Sequence, residues 1–251
     1  MRWRAVAFDD RCMTRLSPVA LTVVIAALFA SSALCAALLL FRVARTDTIA
    51  YGFMAWNLPL AWMALLFALP ARYAAGVRSP MRVSAALLAG ALWLLFFPNA
   101  PYVVTDIAHV RIDPAVPFWY DALLVAVFVS TGLTLGMVSL LLMQDVVSGF
   151  AGRAGGWLFA LAALGLCSLG IYLGRVLRWN SWDAIASPYL VFRDVAAIVA
   201  HPGAHTGAWS LIVLFTLFLA AAYVAFYALT RLHAGGGAVD ARGTEASAPV
   251  R

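Results

Sequence analysis

About six stretches of this sequence, at 18–41, 48–69, 81–97, 118–143, 155–177 and 208–231, are each long and apolar enough to cross a bilayer as an α-helix. No other feature narrows the fold as far. A hydrocarbon core takes roughly 20 helical residues to cross, and within it every backbone N–H and C=O has to find its partner inside the protein. That leaves only helices or a closed barrel. The apolar residues run continuously instead of alternating with period two, which excludes an outer-membrane barrel. The expected fold class is therefore all-α: a polytopic membrane helix bundle of about six transmembrane helices, with short interfacial helices in the third and fifth loops.

Composition agrees with that reading. Hydrophobic residues make up 65% of the chain and charged ones 11%, whereas about a quarter of a soluble globular domain is charged. The connections are short, so one transmembrane domain over 17–231 is expected. A cytoplasmic tail at 1–16 would precede it, and a Gly- and Ala-rich cytoplasmic tail at 232–251, expected to be disordered, would follow. The first apolar run is longer than the core of a signal peptide and reads as an uncleaved anchor.

Orientation follows from the arginines, which supply all 17 basic residues. The amino tail carries Arg2, Arg4, Arg11 and Arg15; the second loop carries Arg72, Arg78 and Arg82; Arg153 and the three arginines of the carboxyl end lie on the same side. The alternate loops hold only Arg42, Arg45, Arg111, Arg175, Arg178 and Arg193. Arginine concentrates in cytoplasmic loops, so both termini are expected inside and the third and fifth loops outside. Net positive charge in such a chain reflects topology, and the expected partner is the lipid bilayer, not nucleic acid. Cys12, Cys35 and Cys167 are too scattered for a disulfide framework or a metal knuckle.

The unusual polar residues gather in those two outer loops. In FFPNAPYVVTDIAHVRIDPAVPFWYD (96–121), Pro98 and Pro101 end the third span, and Asn99 is placed to cap a short second helix. Tyr102, Asp106 and His109 are spaced four and three apart and would share one polar face of an interfacial α-helix. An Asp beside a His is the pattern of a positioned acid–base group, and equally of a helix turning its polar face to water. Asp121 opens the fourth span, where a carboxylate complements the helix dipole and needs a partner. Asp106, His109 and Asp121 are thus the candidate catalytic residues.

GRVLRWNSWD (174–183) closes the fifth span. Arg175 and Arg178 are three apart and would share a helix face, the arrangement that grips phosphate or carboxylate, with Asn180 and Asp183 following. Asn57, between Trp56 and Pro59, sits inside the second span and requires a partner; the carbonyl that Pro59 leaves unbonded is one, and the alternatives are helix-to-helix bonding or the floor of an outer cavity. The candidate binding residues are Arg175, Arg178, Asn180, Asp183, Asn99, Tyr102 and Asn57. His201 and His205 have helical metal-pair spacing, but Pro202 and Gly203 break the helix between them, and no metal site or cofactor is assigned. Gly132 and Gly136 form a GxxxG, read as a close-packing surface. No HExxH, GxSxG, P-loop or CxxC is present.

WLLFFPNAPYVVTDIAH (93–109), WYD (119–121), LGRVLRWNSWD (173–183) and NLPLAW (57–62) together resemble the bacterial integral membrane family catalogued as domain of unknown function 1361, over about the middle two thirds of the chain. The resemblance implies a multi-pass protein of a bacterial cytoplasmic membrane and supplies no catalytic residues. The expected function is recognition of an anionic lipid or lipid-linked head group at the outer face, with acid–base chemistry open. A small-solute transporter or channel, and a scaffold or assembly factor with a purely structural polar cluster, remain the alternative readings.

Overall fold

The computed structural model describes the backbone of residues 17–75, 80–110 and 115–245. The expected 1–16 tail, Arg78 of the second loop and Arg111 of the third lie outside the described residues. The described chain is helical throughout its ordered elements: α1 (Pro18–Thr46), α2 (Gly52–Ala75), α3 (Pro80–Phe96), α4 (Asn99–Tyr102), a 3₁₀ helix (Val103–His109), α5 (Phe118–Arg175), α6 (Asp183–Ala186), α7 (Pro188–Ala200) and α8 (Thr206–Glu245). Five helical segments are long and apolar enough to cross a membrane. This is an apolar helical bundle, a membrane protein.

The count of five follows from α5, which merges two of the expected spans into 58 residues. A straight helix of that length would reach about 87 Å at 1.5 Å per residue, nearly three hydrocarbon thicknesses. It is not straight. Gly152 has φ 72° and ψ 175°, outside the helical region, and the chain reverses there. A Cβ on Gly156 would collide with the Ser148 hydroxyl, eight residues back, and Trp93 reaches both Ser139 (3.2 Å) and the Phe159 ring (5.7 Å). The backbone region Gly152 occupies is essentially closed to residues with a side chain and costs them about 1–3 kcal/mol. Because a Cβ at 152 would meet nothing within 4 Å, that cost is purely conformational. Gly152→Ala should therefore lower stability by about 1–3 kcal/mol, measured by SDS-titrated unfolding in mixed micelles, and unchanged stability would refute the turn.

The first half of α5 is the centre of the bundle. Leu135, Leu140, Leu141 and Leu142 are fully buried, and α2, which lies against α5, carries Ala61, Ala64, Ala68 and Ala71, all with no exposed surface. Small residues repeated at three- and four-residue spacing allow two backbones to approach closely where lipid gives no hydrophobic drive for association. α3 covers α2, α8 lies along α5, and α1 contacts α5 more than α2. On the periphery Phe29, Leu88, Leu158, Leu214 and Leu217 face outward, as lipid-facing residues do. α7 is too short to cross, and it leaves Tyr189 and Phe192 exposed.

The helix ends fall into two groups. α1 ends, α2 begins, α3 ends and α5 both begins and ends at the same side of the bundle, and the polar residues of the third and fifth loops collect there.

Candidate functional site

α3 stops at Phe96 and the chain continues through Pro98 into α4, which contains Pro101 and is wedged between the two halves of α5. Three glycines make the wedge possible. A Cβ on Gly132 would lie 2.8 Å from the Ala100 carbonyl oxygen, one on Gly136 3.3 Å from Pro101, and one on Gly170 2.7 Å from Pro98. Gly132 and Gly136 are thus the close-packing surface that their spacing suggested, and the element they receive is α4.

From there residues 103–109 take a 3₁₀ conformation, not the expected α-helix. With three residues per turn, positions three apart eclipse. Val103, Asp106 and His109 therefore form one ridge, and that ridge turns into the bundle: Val103 and Asp106 are fully buried, while Ile107 is 55% exposed. The expected amphipathic arrangement is reversed here. The carboxylate goes inward because partners wait for it there, and the isoleucine goes outward. Asn99 does not cap α4 through its side chain either; its Nδ2 donates to the Phe96 carbonyl at 3.0 Å and to Ser181 Oγ at 2.9 Å.

Two partners hold Asp106. Asn57 Nδ2 donates to one oxygen at 3.0 Å and Arg175 Nη1 to the other at 3.4 Å. The Asn57 amide thus bonds the carboxylate of the 3₁₀ helix, not the carbonyl left open by Pro59. Arg175 also donates through Nη2 to the Thr105 carbonyl at 3.0 Å and meets His109 Nδ1 at 2.9 Å. A guanidinium has only donors, so the imidazole nitrogen facing it accepts. His109 Nδ1 lies 3.9 Å from Asp106 Oδ1, beyond hydrogen-bond distance. The ordering is therefore Asn57, Asp106, Arg175, His109, with Arg175 at the junction. The His109 side chain is 36% exposed and its ring lies 5.1 Å from that of Phe53.

Asp121 belongs to a second constellation. Arg42 of α1 grips it from both nitrogens of a bidentate fork, Nε to Oδ1 at 2.7 Å and Nη2 to Oδ2 at 3.0 Å. Tyr51 donates to Oδ2 at 3.3 Å and lays its ring beneath the guanidinium, 4.5 Å from its carbon. The two side chains are only 2% and 1% exposed. Tyr51 and Phe53 carry ring contacts from this pair to His109, so the two constellations adjoin without sharing a hydrogen bond.

The expected arginine pair is not assembled. The helix ends at Arg175, and Arg178 lies beyond it with φ 62°, in the left-handed conformation that turns the chain so that the Trp179 amide bonds the Leu173 carbonyl at 3.0 Å. Arg178 is exposed and forms no ion pair with a described residue. Asn180 and Asp183 bond each other, Asp183 Oδ2 accepting from the Asn180 amide at 2.7 Å and from its side chain at 3.2 Å.

Between α2, α4, the end of α5 and the following loop lies a cavity of about 200 Å³. Its polar lining residues are Asn57, Asn99, Tyr102, Asn180 and Ser181, and Trp56, Trp179 and Trp182 also line it. Gly174 also lines it, so Arg175 and the Asn57–Asp106 bond stand immediately behind the wall. Among the described residues no group of three or more His, Cys, Asp and Glu side chains is placed to hold a metal ion.

Sequence reasoning missed Arg42, Tyr51, Thr105 and the three cavity tryptophans. For Arg42 a signal existed. It lies at the end of an apolar run on the side that carries fewer arginines in the sequence, and a charge at the end of such a run calls for a buried acid nearby. For the tryptophans none existed, because an indole at a membrane boundary is ordinarily an anchor.

No curated protein and no solved structure matches the chain. A family model described as a protein of unknown function (DUF1361) matches residues 56–222, from Trp56 at the cavity mouth through the loop that closes it and on into α8. That is about two thirds of the 251 residues, and the chain belongs to the DUF1361 family.

Proposed function

We propose that this protein binds the polar head group of a lipid or lipid-linked molecule in the cavity between α2, α4 and the end of α5. In this reading the cavity opens at the outer edge of a bacterial cytoplasmic membrane, which the chain crosses six times, counting each half of α5, with both termini inside. The observation that carries it is the cavity itself. It is lined from the third and fifth loops together, it sits at the end of the bundle from which those loops emerge, and its volume of about 200 Å³ holds roughly six waters or one small head group. Ligand sites of soluble enzymes are larger, about 300–1,000 Å³, so a single ring or a short polar group is the size that fits.

The charges behind the wall position it. Arg175 ties the 3₁₀ helix to the end of α5, and Asn57 ties α2 to the same carboxylate. His109, partly exposed beside them, is the group able to exchange a proton if the ligand is also a substrate, with Asp106 and Arg175 as positioning residues. Asp121 is an anchor for α1 and takes no part.

Filling the cavity tests this. Ala184 lines it and is half-buried, so Ala184→Phe occupies the space without touching the charged residues. Protein reconstituted in nanodiscs from a mixed bacterial lipid extract should retain one lipid class through native mass spectrometry, and Ala184→Phe should lose that retention by about tenfold or more while melting at the wild-type temperature. Equal retention in the two proteins would overturn the reading.

A further inference from the structure

The chemistry of the cavity wall points to a class of head group, an inference that rests on the reading above. Three amides line the cavity, and each has its nitrogen committed to an acceptor of the protein. Asn57 Nδ2 donates to the Asp106 carboxylate, Asn99 Nδ2 to the Phe96 carbonyl and Asn180 Nδ2 to the Asp183 carboxylate. Carboxylates and carbonyls only accept, so none of the three amides can be turned round. Each must leave its Oδ1 as the unused end, and none of these oxygens bonds a described residue. Among the described residues no unpartnered buried side-chain oxygen exists; Asn57 and Asn99 are only partly exposed, so their Oδ1 atoms are reached by solvent, and both residues line the cavity.

The same wall carries donors. The Tyr102 hydroxyl and the indole N–H groups of Trp56 and Trp182 bond no described residue, and each of these residues lines the cavity. Arg, Lys, Asp, Glu and His are all missing from its lining. The guanidinium nearest to it, Arg175, is engaged by Asp106, Thr105 and His109.

We infer that the cavity takes an uncharged, hydroxyl-bearing ring, a glycosyl group, the donors of its hydroxyls meeting the three amide oxygens and its apolar faces meeting indole. Three possibilities are separated by donor and acceptor content. A phosphate offers only acceptors and would face three carbonyl oxygens with no cation in the lining. An ammonium offers only donors: the tyrosine hydroxyl oxygen and the ring faces could receive it, but the indole N–H groups would go unmatched. Hydroxyls supply both, and aromatic side chains with a polar edge complete such a site.

The test uses the full chain in nanodiscs doped separately with a monoglucosyl diacylglycerol, a phosphatidylglycerol and a phosphatidylethanolamine of the same acyl chains. Native mass spectrometry should show the glucosyl lipid retained about tenfold more than either phospholipid, with retention lost in Ala184→Phe and reduced several-fold in Asn180→Ala, whose amide is at the surface and whose loss leaves the fold intact. Methyl glucoside added as competitor separates the sources. Displacement of the lipid shows that the ring alone is recognised, and failure to displace it shows that a lipid-borne glycosyl group is needed; both support the glycosyl class. Preferential retention of phosphatidylglycerol or phosphatidylethanolamine in a manner blocked by Ala184→Phe would overturn the glycosyl assignment and leave head-group binding standing. No lipid distinguishing wild type from Ala184→Phe would overturn both.

Discussion

Asp121→Ala should destabilise the protein by about 3–5 kcal/mol, the range found when one member of a buried ion pair is removed. The Arg42 side chain is 2% exposed and that of Asp121 1%, so neither charge has water to fall back on. Arg42 would lose both charge-assisted bonds of its fork, and neither the hydroxyls of Thr46 and Thr48, at 3.4 and 3.3 Å, nor the Tyr51 ring replaces a carboxylate. Arg42→Ala leaves the mirror-image problem, a carboxylate with one tyrosine hydroxyl at 3.3 Å. The double variant Arg42→Met/Asp121→Leu should recover most of the loss, because replacing both charges by apolar groups removes the desolvation penalty together with the attraction. SDS-titrated unfolding of the three variants checks this, and a double variant as unstable as the singles would mean that the pair is not what joins α1 to α5.

How much of this was legible beforehand differs sharply between elements. The long apolar helices were, because a continuous apolar run of about 20 residues has few other uses; of the six expected spans, five helices long and apolar enough to cross a membrane are found, two of the expected runs being joined in α5. Even the reversal at Gly152 was implied by two spans separated by a glycine-containing gap, although its backbone runs on as one helical element. The side on which Asp106 lies was not. Periodicity counts apolar and polar residues on the assumption that water is on the polar side, and in a membrane bundle the polar side is the interior whenever a partner waits there. The partner, Arg175, is 69 residues away, and nothing local announces it. The arginine pair failed for a different reason. Three-residue spacing puts side chains on one face only while the helix lasts, and the helix stops at Arg175.

The same accounting decides the ranking at the other constellation, where the two partners are not equivalent. Asp106 has no exposed surface, whereas the Arg175 side chain is 24% exposed. Arg175→Ala strands the buried carboxylate with Asn57 as its one remaining strong donor, since His109 is 3.9 Å away. About 3 kcal/mol should be lost. Asp106→Asn should cost less, about 1–2 kcal/mol, because the released guanidinium still has the Thr105 carbonyl and His109 and can turn its exposed edge to water. Asp106→Asn/Arg175→Gln should then be less damaging than Arg175→Ala alone, which additive losses would forbid. The ranking also reaches the cavity. Asn57 is held by Asp106, and once that carboxylate is altered the amide is no longer forced to present Oδ1, so Asp106→Asn and the double variant should weaken head-group retention even at temperatures where they remain folded. Retention unchanged in folded Asp106→Asn would separate the charged cluster from the cavity and reduce it to a tie between the 3₁₀ helix and α5.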